Sequence, residues 1–251
     1  MRRLVPRKRA KQMPRHELLK IDGKVVPVAL KLNPRARRLI VKVHPSTGEV
    51  SVVAPSRRAL EHALDFARNE MDWIAGRLAD VPPPVMLGLG KRIPFFGVSH
   101  LIVEGEGRPP VQTGEEDGKP VIRVAGYAEH APRRLLDFIK REARRVLEER
   151  TFEYADRIGQ KPARITIRDT ASRWGSCSSG RTLSFSWRLV FAPSHVLDYV
   201  VAHEVAHLKE MNHGPRFWRL VREIVPDIER PQTWLRDHGA LLHRYAPKIL
   251  P

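Results

Sequence analysis

Cysteine is almost absent from this chain: of 251 residues only Cys177 is one. No disulfide framework can form within the chain, which fits a reducing compartment. Long apolar runs are missing as well. None reaches the roughly 18 residues that a membrane span needs, so no membrane association is expected. The N-terminal MRRLVPRKRAKQMPR is basic and lacks the apolar core of a secretory signal, and a cytoplasmic protein is the expectation. Acids are scarce: 28 Asp and Glu stand against 45 Lys and Arg, a formal charge of +17. Such a surface attracts polyanions, and nucleic acid is the commonest of these. No recognised nucleic-acid motif accompanies the charge.

What is present is the composition of a folded domain, 42% hydrophobic and 29% charged. Residues 1–15 form a basic arm expected to be disordered. Residues 16–128 form a mostly β region, with strands expected at 24–32, 38–43, 49–55, 93–97, 100–105 and 120–126. Between these lies one amphipathic helix, 57–78, capped by Ser56. The stretch GRPPVQTGEEDG reads as a flexible connection. Residues 129–251 hold a long helix at 132–159 closed by Gly159, strands at 164–169 and 182–192 joined by TASRWGSCSSGR, and helices to the end. The fold class is α+β. No internal repeat is visible.

The chemistry concentrates in VVAHEVAHLKEMNHGPRFW, residues 200–218. Four residues separate His203 from His207, so on a helix both imidazoles leave one face, one turn apart. Two nitrogens so placed can reach one metal ion at about 2.0–2.1 Å. Glu204, offset from that pair, suits a general base acting on a metal-activated water, the HExxH arrangement. A catalytic zinc keeps three protein ligands and an open position. His213 is the first choice for the third, because Gly214-Pro215 should break the helix and let the chain turn back. Glu223, Glu229, His238 and His243 are its rivals. Val196 and Val200 share the face of the two histidines, an apolar setting in which uncompensated imidazoles are costly.

From RWGSCSSGRTLSFSWRLVFAPSHVLDYVVAHEVAHLKEMNHGPRFW the chain resembles the YgjP-like group of SprT-related zinc metallopeptidases. The resemblance is specific over 171–218 and looser over the N-terminal strands and Trp73-Ile74. It implies a compact zincin-like half with a small sheet and an active-site helix. It also implies one Zn2+ per chain on His203, His207 and His213, with Glu204 as base, and peptide or protein substrates. The histidine offset also equals the metzincin pattern HExxHxxGxxH, but Glu210 stands at the glycine position. The competing reading is a basic nucleic-acid-associated protein, a protease for DNA-protein crosslinks or a non-catalytic zinc-binding module.

Several further residues enter as expectations. Arg216, His238 or Tyr245 could stabilise an oxyanion. TLSFS could offer an edge strand to an extended peptide, though a core hairpin reads equally well. Cys177 lacks an unassigned base and reads as a loop thiol rather than a nucleophile. Trp174 and Gly175 are expected to shape a loop over the site, and Trp73, Trp187, Trp218 and Trp234 to anchor cores.

Overall fold

A computed structural model describes residues 15–44, 47–81, 83–170 and 173–245. The expected disordered arm lies, but for its last residue, outside these. Among the described residues no helix is long and apolar enough to cross a membrane. Backbone contacts divide the chain into two units, Met1–Pro82 and Pro83–Pro251. The sequence reading sets its boundary at 128/129, and the difference has a physical cause. The strands from 92 to 125 share a core with the long helix that follows them, including Ile102, Ile122, Leu135 and Ile139.

In the first unit β1 (Arg15–Ile21), β2 (Lys24–Leu32), β3 (Ile40–Val43) and β4 (Val50–Ala54) form a sheet of order β1-β2-β4-β3. Strand β1 lies just after the basic arm and escaped the sequence reading, although its turn is legible. Asp22 and Gly23 take φ of 46° and 77°, the left-handed pair that a two-residue hairpin requires. The expected helix at 57–78 is instead three pieces, α1 (Arg57–Glu61), α2 (Ala63–Asn69) and α3 (Met71–Ala79). Its axis is nicked at His62 and Glu70, whose ψ values of 1° and 15° lie outside the α range. Ser56 caps α1 as expected, accepting from the Ala59 amide. Ala63, Ala67 and Ile74 pack on Val28, Val50 and Val52. Trp73 is no core anchor: it is 42% exposed and lies under the Arg77 guanidinium.

The second unit opens with β5 (Arg92–Phe95), β6 (Val98–Gly105), β7 (Val111–Glu116) and β8 (Lys119–Ala125), in the order β5-β6-β8-β7. Position for position this is the order of the first sheet, down to the parallel central pair, β2 with β4 and β6 with β8. The topology repeats where the sequence shows no repeat. The supposed flexible connection is in fact β7, closed onto β8 by Asp117-Gly118 at φ of 50° and 70°. Next comes α4 (Ala131–Arg157), 27 residues long. It ends in a Schellman motif: Gly159 has φ of 64°, its amide bonds Asp156 O, and Gln160 N bonds Ala155 O at 2.8 Å.

A small sheet follows, made of β9 (Arg164–Arg168), β10 (Gly175–Cys177) and β11 (Thr182–Ser186) in the order β10-β11-β9. The Gly/Ser-rich joint thus contains a strand. The expected strand at 182–192 stops at Ser186, whose hydroxyl accepts from the Arg188 amide and turns the chain into a 3-10 segment, Trp187–Phe191. The metal-motif helix is α5 (Ser194–Ala206), followed by α6 (Pro215–Ile224) and α7 (Glu229–His238). Helix α5 is buried nearly all round, which explains its continuous valines and alanines.

Candidate metal centre

Helix α5 ends earlier than the Gly-Pro break suggests. His203 lies in its last turn and His207 is its C-cap residue. The chain then reverses through a tight turn, with Leu208 N bonded to Val205 O and Glu210 N to Ala206 O, both at 2.9 Å. Gly214 caps α6 and Pro215 occupies its first position, where a missing N–H costs nothing. The reversal brings His213 back over the end of α5, and its Nε2 lies 3.1 Å from Nε2 of His203. One ring nitrogen from each of His203, His207 and His213 falls within 4.8 Å of the others. Among the described residues no other His, Cys, Asp or Glu joins them.

These rings fit a metal ion. Two nitrogens bound tetrahedrally to one zinc would stand about 3.3 Å apart, close to the observed separation. Nδ1 of His207 donates to the Glu210 carbonyl at 3.0 Å, which fixes its tautomer and leaves Nε2 with a free lone pair. Nδ1 of His203 is buried without a hydrogen-bond partner. Burial, then the neighbouring His207 and His213, push the His203 pKa down to about 4, so the ring is neutral and able to ligate near pH 7. Phe217, fully buried on the second turn of α6, lies under all three rings at 4.9, 4.5 and 4.7 Å between centroids. Trp218 stacks on His213.

Glu204 is 7% exposed. Burial pushes its carboxyl up to about 7, against the opposing pull of Arg173 and of the Cys177 backbone N–H. A carboxylate poised near neutrality can both take and return a proton at physiological pH. The edge strand β10 lies directly on it. A Cβ on Gly175 would come within 2.5 Å of Glu204 Cγ, so this position admits only hydrogen. The preceding Trp174 is held from behind by a stack on His243 at 4.9 Å, and its carbonyl accepts from Ser186 N at 2.8 Å.

The rivals for the third ligand sit elsewhere. Glu229 lies 3.6 Å from Arg222, His238 packs on Trp234, and His243 carries Trp174. Of the suggested oxyanion stabilisers, His238 and Tyr245 line a separate cavity of about 300 Å3 with Phe191 and Trp234. Arg216 is exposed on α6. The cation whose charge reaches Glu204 is Arg173, which the sequence reading passed over. Its only signal was its place immediately before Trp174-Gly175. Burial and the Glu204 charge raise the pKa of Cys177, which argues against a thiolate nucleophile.

Comparison with known proteins completes the picture. The model of the YgjP-like metallopeptidase domain matches residues 37–238. No curated protein matches the chain. Among solved structures, the crystal structure of the metallopeptidase zymogen of Pyrococcus abyssi abylysin is similar over 38% of this chain and 94% of its own, at 22% identity and a TM-score of 0.34.

Proposed function

The chain belongs to the YgjP-like metallopeptidase family, and from that premise we propose that it hydrolyses peptide bonds with one zinc ion on His203, His207 and His213 and Glu204 as general base. The observation that carries this reading is the convergence of three imidazole nitrogens beside a buried carboxyl with a pKa near 7. When bound, zinc would supply Lewis acidity toward the scissile carbonyl and acidify water. Glu204 Oε1 or Oε2 takes the proton of the attacking water and returns it to the leaving amine. The near-neutral pKa makes both transfers accessible. Arg173 is the cation placed to draw substrate carbonyl or carboxylate groups toward this end of β10. We assign the same reading a reducing, cytoplasmic setting, on the single thiol of Cys177.

Elemental analysis of the purified chain and of His213→Ala tests the ligand set. Close to one zinc in the wild type and a sharp loss in the variant are expected. Full zinc in both would move the third ligand to another residue. Hydrolysis of a broad peptide library by the zinc-loaded chain, lost in Glu204→Gln at unchanged zinc content, tests the base. A Glu204→Gln chain as active as the wild type would overturn that role.

A further inference from the structure

A second site candidate lies on the second unit, outside the metal centre. Lys140, Arg141 and Arg144 on α4 face Arg168 and Asp169 at the end of β9 across an open groove of about 390 Å3, with Trp187 at its base. Strand β9 is an edge of the small sheet, so nothing pairs with it on that side.

The charge on this groove is not balanced. Acids along α4 neutralise its C-terminal arginines: Glu148 holds Arg144 at 2.8 Å, Glu142 and Glu149 hold Arg145, and Glu153 holds Arg150 and Arg157. Lys140 and Arg168 have no such partner among the described residues. Arg141 meets Glu142 only at 3.9 Å. The one acid in the groove, Asp169, is engaged by the buried Arg188 guanidinium, Nε to Oδ1 at 2.7 Å. Lys140 is held in another way, with its ammonium 5.5 Å from the Trp187 ring centroid. An aromatic face fixes a cation in place without cancelling its charge. The same indole has a buried Nε1–H with no acceptor.

Fixed, un-neutralised cations on a helix and a neighbouring strand suit a row of phosphates better than one isolated anion, which needs donors converging on a point. The +17 of the whole chain favours a polymer of high charge density over an acidic peptide. Trp187 is only 3% exposed, so bases cannot stack on it and contact would be through the backbone alone. We infer that the α4–β9 groove binds the phosphate backbone of a nucleic acid, without base preference, through Lys140, Arg168 and Arg141. The inference stands apart from the peptidase reading, because it involves none of the residues of the metal centre.

The test is fluorescence anisotropy of a labelled single-stranded oligonucleotide of mixed sequence, titrated with the full chain between about 50 and 200 mM salt. Lys140→Glu/Arg168→Glu should weaken binding by about tenfold or more at the lower salt. It should also flatten the plot of log affinity against log salt by about two units of slope. The control Lys91→Glu/Arg92→Glu makes the same change in net charge on exposed residues away from the groove, and should cost at most about twofold. Lys140→Gln/Arg168→Gln serves if the reversed charges disturb folding, with a loss in the same direction. Equal losses in both pairs would overturn the inference, since binding would then follow net charge alone. So would absence of binding by the wild type, displacement by millimolar inorganic phosphate, or equal affinity for a polyglutamate of matching charge.

Discussion

Glu204 and His203 are neighbours in sequence, and burial drives them in opposite directions. The carboxyl rises to about 7 and the imidazole falls to about 4. The folded value of Glu204 lies above its unfolded value near 4.5, so its stabilising contribution is complete below that pH and is lost as pH rises toward 7. His203 is the reverse: its contribution is complete above about 6.5 and is lost as pH falls toward 4. Each spans roughly 3 kcal/mol, so between 4.5 and 6.5 they largely cancel. Above pH 7 the charged, buried Glu204 remains as a cost. In chelator-treated protein, Glu204→Gln should therefore raise Tm by about 5 °C at pH 8 and leave it nearly unchanged at pH 4.5. Thermal melting at the two pH values decides it, and equal shifts would contradict the burial argument. At this scale the sequence was legible where spacing alone placed a side chain. The four-residue step from His203 to His207 needs only a helix. Arg173 and Gly175 were not legible as partners of Glu204, because a strand some thirty residues upstream brings them there.

Among the elements, α6 does more for the centre than its sequence suggests. Its apolar stripe, Phe217, Leu220, Val221 and Ile224, reads simply as the buried face of an amphipathic helix. Yet the start of α6 at Pro215 puts Phe217 on the second turn, directly under three imidazoles. Phe217→Leu keeps an apolar side chain there but removes the flat ring that the imidazoles pack against. The expected result is a folded chain that releases zinc to a chelator several-fold faster than the wild type, followed by stopped-flow absorbance of the chelate. Phe217→Ala should in addition lose about 3–5 kcal/mol of stability through the cavity it leaves. An unchanged release rate in Phe217→Leu would reduce Phe217 to a core residue. Other elements were hidden for local reasons. Strand β10 is Gly-Ser-Cys, three residues with little strand preference, and it forms because β11 supplies its hydrogen bonds. Strand β7 carried a readable Asp-Gly turn but too few apolar residues to announce itself.

Across the whole molecule, the α+β class and the helical second half were legible, while the division at residue 82 was not. Periodicity reports faces, and it says nothing about which core a face will join. The second unit has its own core around Leu135, Phe185, Val201 and Phe217, and the entire metal centre lies within it. A chain of residues 83–251 is therefore expected to fold alone and to bind zinc with the stoichiometry of the full protein. Circular dichroism and elemental analysis would show it, and an unfolded fragment would contradict it. The repeated strand order has a further consequence for renaturation. A chain emerging from denaturant offers two sets of strands that obey one wiring diagram, so β2 can capture β8, and β6 can capture β4, before the proper partner arrives. Such cross-pairing joins chains together as readily as it scrambles one. Recovery from denaturant should fall with concentration more steeply for the full chain than for 83–251, which keeps a single copy of the pattern.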